Sequence, residues 1–404
     1  MKNNSILLKQ PIVIIGGGVH QIPYVEYCKE NKIPTIVIDQ NENAMARDYS
    51  DLFLNIDTSN DTEVIEAINK YCQKDGIAGV LVAGVELAIL GAKISKHFKT
   101  KSISVITAIN ATNKIIRAEK FKEFGIPSPE YEIVDSIHSV SLNYPYVIKK
   151  QEGSGSRGVR VIASEEDIFS AEKDFTGNGS SQYLVEEFIY GHEISIEAFI
   201  HKGKFYYYCF AVRDIESISN GKIIEHGSIS DPLYDDKNRN KVKKVFESAC
   251  LALGIEEGPA KGDILYTNSG PKVLEVASRS APLAPLLSGR IYDIDMVSMH
   301  VKWALGLDFV FEPLPLDFSK SKPVSHRILF HKPGILKSIN GIDEAKKSKG
   351  VLEIIALKDL NFPMVLDYPD NGNRILYVAA TGSNAIRARK NADNALSKIN
   401  LIYK

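Results

Sequence analysis

The chain is short of the features that mark the special classes of protein. Cysteine is scarce: Cys28, Cys72, Cys209 and Cys250 are the four in 404 residues, with no C-x-x-C pair and no histidine nearby at metal spacing. That excludes a disulfide scaffold or structural zinc site and reads as reduced, packed thiols of a cytoplasmic protein. An excess of charge of one sign is missing too. Lys+Arg 49 against Asp+Glu 50 leave a net charge of −1, so no global field favours nucleic acid or an anionic membrane, and any bound anion must be held by a local cluster. Long apolar runs are absent. Ile12-Val-Ile-Ile15 is far too short for a signal or a span and runs straight into glycine, so neither export nor membrane insertion is expected. What remains, 44% hydrophobic and 25% charged residues, is the composition of an ordinary globular enzyme, and the length predicts two or three domains.

Periodicity organises the chain. Ile12–Ile15, Thr35–Asp39 and Gly79–Ala83 read as buried strands, Ile22–Asn31 and Glu86–Phe98 as helices, and Ser104–Ile106 closes the unit. That alternation predicts a doubly wound parallel α/β sheet. Gly16-Gly-Gly-Val-His-Gln opens like a dinucleotide fingerprint without its last glycine. The alternative is a tight strand-to-helix turn whose N–H groups hold a small anion such as a carboxylate.

A second unit opens on Asn113 as a helix N-cap and continues with strands at Tyr146–Lys149, Val159–Ala163 and Tyr183–Phe188. Glu193–Ile200 alternates, which puts Glu193, Ser195 and Glu197 on one polar face, Glu197 reading as solvated. After an amphipathic helix over Asn240–Leu253, the strands Gly262–Tyr266 and Lys272–Val276 flank the turn Asn268-Ser-Gly-Pro271, a hairpin that sets Asp263 against Glu275. The tail predicts strands at Val351–Leu357, Met364–Asp367 and Arg374–Ala380 and a helix over Ser383–Ile399.

One segment carries the chemistry. Tyr146-Val-Ile-Lys-Lys-Gln-Glu-Gly-Ser-Gly-Ser-Arg-Gly-Val159 places Lys149 at a strand end before a loop of Gly153, Ser154, Gly155, Ser156, Arg157 and Gly158. Lysine brings a point charge, glycine lets backbone N–H groups approach an anion, and arginine adds a planar donor, so the loop suits phosphate. A solvated Gly/Ser turn is the plain alternative. In order, the chain then offers Lys114, Lys149, this loop, Glu186-Glu187, Glu193, Asp263, Glu275 and Arg279.

That order resembles the ATP-grasp superfamily of carboxylate–amine ligases, in its biotin-carboxylase-like and L-amino-acid-ligase-like branch. The resemblance implies a multidomain α/β and α+β fold: a pre-ATP-grasp domain (1–110), an ATP-grasp domain (111–315) with a mobile β lid about 125–188, and a small α+β C-terminal subdomain (316–404). It implies ATP and Mg²⁺ (one or two ions, or Mn²⁺) as cofactors, small carboxylate and amine substrates, and a homodimer by default. Lys114, Lys149 and residues 153–158 would hold phosphates. Glu186, Glu187, Phe188 and Ile189 would face the adenine edge, and Glu193 would accept from the ribose. Asp263 and Glu275 would bind metal, and Arg279 with Lys149 would serve the transferred phosphoryl group. Gly17, Gly18, Glu86, His226, Arg279 and Ser280 are substrate candidates, His226 being otherwise structural. The chain departs from the family pattern at Ala277, where asparagine is usual, which puts the count of metal ions in question. The implied reaction makes an acyl phosphate and then an amide; the alternatives are a bicarbonate-dependent carboxylase, resembling purine-pathway enzymes or carbamoyl-phosphate synthase, and a nucleotide-binding protein with little catalysis.

Overall fold

The computed structural model describes residues 10–72, 75–153, 155–175, 182–217, 221–230, 236–283, 294–307, 323–357 and 371–403. The first unit runs β1 (Ile12–Ile15), α1 (Ile22–Glu30), β2 (Thr35–Asp39), β3 (Leu52–Asn55), α2 (Asp61–Cys72), β4 (Gly79–Val82), α3 (Ala88–Phe98) and α4 (Val105–Thr112). Its strands are all parallel in the order β3-β2-β1-β4. Alternate residues of β1 serve two cores: Ile12 and Ile14 pack with Tyr24, Val25 and Trp303, while Val13 and Ile15 pack with Val64, Ile68 and Ile94. Burial on both faces explains why these strands read as continuous apolar runs. Ser104–Ile106 does not form the closing element expected. Ser104 caps α4, its Oγ accepting from the Thr107 N–H at 3.0 Å, and such a cap starts a helix.

The second unit begins with α5 (Lys114–Glu123), whose N-cap Asn113 accepts from the N–H groups of Ile115 and Ile116. Next come β5 (Tyr131–Val134), β6 (Tyr146–Lys150), β7 (Val159–Ile162), α6 (Glu165–Phe175) and β8 (Tyr183–Glu187). The strands make an antiparallel sheet in the order β5-β8-β6-β7, with α6 sealing a small core through Ile168, Ala171 and Phe175.

The chain continues as β9 (His192–His201), β10 (Lys204–Ser217), β11 (Ile223–Ser230), α7 (Asp236–Ala252), β12 (Gly258–Thr267), β13 (Gly270–Ala277) and α8 (Met296–Ala304). The tail is β14 (Val324–Phe330), β15 (Leu336–Asn340), α9 (Ile342–Lys346), β16 (Val351–Ala356), β17 (Arg374–Thr381), α10 (Ala385–Leu396) and β18 (Asn400–Tyr403). Eight of these strands form one sheet in the order β13-β12-β9-β10-β11-β14-β17-β16, every pairing antiparallel. The tail strands thus extend the same sheet, Ser228 pairing with His326 across the join. One face of the sheet is apolar: Ile194, Ile196 and Ala198 of β9 are wholly buried with Phe246 and Cys250 of α7. Its other face is polar and walls the cleft. The expected strand Met364–Asp367 and the expected boundary near residue 315 lie outside the described residues. No described helix is long and apolar enough to cross a membrane.

Candidate active site

A cleft of about 1030 Å³ opens between the four-stranded sheet, the polar face of the eight-stranded sheet and the carboxyl ends of β1 and β4. Ligands of α/β units commonly sit at those strand ends. Its upper wall is the lysine and glycine segment. Lys149 ends β6, and its Nζ lies 2.5 Å from Glu186 Oε2 on β8, with side chains only 12% and 9% exposed. Lys114, first residue of α5 and 5% exposed, donates to the Gly153 carbonyl at 2.8 Å. Burial, against the pull of Glu275, lowers the Lys114 pKa to about 8. In the loop, Gly153 has φ +133° and a Cβ there would sit 2.9 Å from the Arg157 carbonyl oxygen. Gly158, at φ +68°, would meet the Lys150 side chain at 2.9 Å. Gly153, Gly155, Ser156 and Arg157 line the cleft; Ser154 lies outside the described residues. The loop also reaches the tail, since the Gly155 carbonyl accepts from Asn371 Nδ2 at 3.3 Å.

The connection after β8 supplies an apolar slot. Phe188 and Ile189 line it with Val147, Leu265 and Leu274, and Tyr190 stands edge-on to Phe188 at 5.0 Å. The Glu187 carboxylate is spent structurally, on Lys272 at 2.8 Å and the Glu130 N–H at 3.0 Å.

The floor follows the strand register. One cross-strand row is Ser195, Asp263, Glu275, and the next is Glu197, Lys261, Ala277, so the hairpin sets the two expected metal carboxylates opposite each other. Asp263 Oδ2 lies 2.5 Å from Lys261 Nζ and 3.3 Å from Arg213 Nη1. Asp263 Oδ1 is buried without a hydrogen-bond partner. At Glu275, burial would raise the pKa, but Arg117, Lys261, Lys114 and Arg279 hold it well below the usual carboxylate range. Glu193 pairs with Arg213. Burial, aided by the charges of Asp263 and Glu225, lifts its pKa to about 7 despite Arg213 and Lys261. Arg213 also reaches Glu225 at 3.0 Å, and Arg374 reaches Glu225 at 2.9 Å.

Arg279 spans to the first unit, its Nε lying 2.9 Å from Glu86 Oε2. The remaining substrate candidates fare differently. The Gly17 N–H is taken by Asp39 Oδ2 at 2.6 Å; neither Gly17 nor Gly18 lines the cleft, where Gly16, Gly84 and Val85 stand. Ser280 is fully buried, bridging to Ala83. His226 stands outside the cleft, 3.0 Å from Glu216 and edge-on to Phe330. The histidines that line the cleft are His192 and His326, the latter bonded to Ser228 Oγ at 2.9 Å. Glu197 is 2% exposed rather than solvated, and accepts from the Ala281 N–H at 2.8 Å. Arg117, Arg213, Glu225, Lys261, His326, Asn371 and Arg374 were not singled out from the sequence; the run Tyr206–Val212 before Arg213 is aromatic and apolar throughout, so no alternation marks that arginine.

Residues 12–106 match a PylC-like N-terminal domain, and residues 111–281 match an ATP-grasp domain. The chain carries an ATP-grasp domain behind a PylC-like N-terminal domain. An uncharacterized protein of Sinorhizobium fredii is 27% identical over 82% of this chain and 70% of its own length. A phosphoribosylamine–glycine ligase of Methanosarcina barkeri is 27% identical over 78% of this chain and 76% of its own. In fold, the chain is similar to the crystal structure of L-amino acid ligase from Bacillus licheniformis, with a TM-score of 0.83 at 17% identity, covering 98% of this chain and 99% of that one. The expected fold, a parallel first unit followed by an ATP-grasp domain, is the one found.

Proposed function

We propose that this ATP-grasp protein is an ATP- and magnesium-dependent ligase that phosphorylates a small carboxylic acid or amino acid and joins it to an amine. The observation that carries the reading is that Lys114, Lys149, Arg213 and Arg279 line one cleft with Asp263, Glu275 and a glycine-rich loop. In the first step a carboxylate oxygen of the acid attacks the γ-phosphorus, the bond to the β,γ-bridging oxygen breaks, and ADP leaves. In the second the amine attacks the acyl carbon, phosphate departs with its bonding pair, and the amine loses a proton to phosphate or solvent. Lys114 and Lys149 would hold the polyphosphate against its own repulsion, and Phe188, Ile189, Val147 and Leu265 would enclose the base. Arg279, fixed by Glu86, would orient the transferring group. The orphaned Asp263 Oδ1 and the Glu275 carboxylate, whose pKa the surrounding cations depress, are hard oxygen donors that suit magnesium. Bound there, it would neutralise charge at the transferring phosphate. Cys209 lines the cleft, but burial keeps its thiol protonated, so the chemistry is positioning and electrostatics rather than thiol attack.

An amino acid is the favoured acid or amine, because two of the three proteins named above are an L-amino acid ligase and a phosphoribosylamine–glycine ligase. The test is phosphate release from Mg-ATP across panels of carboxylates, amino acids and amines. Amine-dependent release without bicarbonate is the expected result. Release that needs bicarbonate and ignores amines would replace this reading with the carboxylase, and nucleotide binding without ADP formation on any panel would replace it with a binding protein.

Lys114 gives a pH signature. Its ammonium persists below its pKa of about 8 and is lost above it, so an anionic nucleotide binds best with the lysine charged. ADP affinity should fall by up to about tenfold per pH unit above pH 8. Lys114→Arg should remove that dependence, because guanidinium keeps its charge; calorimetric titration between pH 7 and 9.5 is the check.

A further inference from the structure

Lys261 has no role in the scheme above, yet it lines the cleft beside Asp263 and Glu275. It lies between Glu197 on β9 and Ala277 on β13 in one cross-strand row. The neighbouring row holds Asp263 and Glu275. Its Nζ is 2.5 Å from Asp263 Oδ2, with side chains 14% and 9% exposed, so this is an interior ion pair. Arg213 approaches the same carboxylate oxygen at 3.3 Å. One oxygen of Asp263 is therefore committed to fixed cations, while the other, Oδ1, is buried and has no hydrogen-bond partner. Ala277, across from Lys261, contributes no oxygen. Among the described residues no group of three or more His, Cys, Asp or Glu is placed to hold a metal.

Magnesium completes an octahedron with one or two carboxylates, phosphate oxygens and water. Asp263 Oδ1 and Glu275 suffice for one such ion. A second ion would compete with Lys261 for Asp263 Oδ2, and the side chain at position 277 offers it no oxygen. An ammonium on a flexible stem carries charge to phosphate without a coordination sphere of its own. We propose that the cleft takes a single divalent cation with its nucleotide, and that the Lys261 ammonium, opposite Ala277, is a built-in cation in the place of a second. The proposal rests on the magnesium-nucleotide reading of the cleft.

The test counts metal. Mn²⁺ bound per chain is measured by electron paramagnetic resonance with saturating β,γ-imido-ATP, bound nucleotide being quantified in the same samples. The native chain should bind one Mn²⁺ per nucleotide. Lys261→Met should admit a second at millimolar free Mn²⁺, and its ligase turnover, at least tenfold down, should recover partly as free Mg²⁺ is raised. Native turnover should not respond to free Mg²⁺ once the ATP is complexed. Ala277→Asn, which keeps the lysine and adds an oxygen, serves as the second variant and should raise the weak-site affinity for Mn²⁺. Two Mn²⁺ per nucleotide in the native chain would overturn the proposal, as would a count of one in both variants with normal circular dichroism. Samples holding no nucleotide would mark the separate failure of the nucleotide reading, and overturn this proposal with it.

Discussion

Glu275→Gln should lower ADP release from Mg-ATP by about 10²- to 10³-fold, roughly 3–4 kcal/mol of transition-state stabilisation. The substitution keeps the shape and removes the charge. Glu275 sits where Arg117, Lys261, Lys114 and Arg279 all act on it, and those cations hold its carboxyl well below the usual range. It is therefore ionised at every practical assay pH, and no acid limb of the rate profile should belong to it. The cost of the substitution falls on metal-dependent transfer. Metal-free nucleotide should bind the variant at least as well as the native chain, because one negative charge has left a cluster that attracts phosphate. Turnover in a coupled assay and ADP affinity in the presence of a chelator are the two measurements; loss of both together would mean that Glu275 supports the fold rather than the metal. The pH dependence of stability has the sign of a depressed carboxylate. Its contribution is present above the unfolded value of about 4.3 and is lost as pH falls toward the folded value.

Lys149→Met should do two separable things. The Lys149–Glu186 pair is almost wholly interior, with side chains 12% and 9% exposed, so the small values typical of surface ion pairs do not apply. Removing one partner strands a buried carboxylate, at a cost of roughly 3–5 kcal/mol, whereas replacing both partners with apolar side chains is close to neutral. The urea midpoint should thus fall sharply in Lys149→Met and return most of the way in Lys149→Met/Glu186→Leu. Nucleotide affinity should not return, because the missing ammonium is what meets phosphate. A double variant that regained both would show that Lys149 acts only through Glu186.

Most of the site's skeleton could be read from the amino acids alone because it is built of local patterns. The Asn268–Pro271 turn and period-two alternation set Asp263 against Glu275, and the strand register repeats that pairing. Asn113 caps its helix as its residue type suggests. The failures share a cause as well. Glu225 and His226 are neighbours in a strand, so they point to opposite faces; choosing histidine for its chemistry chose the wrong face, and the bulge in β10 at Asp214 and Ile215 hides the register that would have decided it. Lys261 and Arg117 are charged residues, for which a solvated position is the ordinary expectation, and only tertiary packing buries them. Pairing between Ser228 and His326 has no local trace, since strands so distant in sequence meet only after the chain has closed a long loop.

The unbroken run of eight strands has a practical consequence for dissecting the molecule. Residues 111–281 match a family unit by themselves, yet β11 bonds on its far side to β14, beyond that span. A fragment ending at residue 281 would leave β11 with a row of bare N–H and C=O groups, the template on which sheets join between molecules. It would also lack Arg374 and Asn371, which fasten Glu225 and Gly155. Residues 111–281 and the tail thus share one sheet, and evolutionary exchange of the tail would have to carry β14, β16 and β17 as a block.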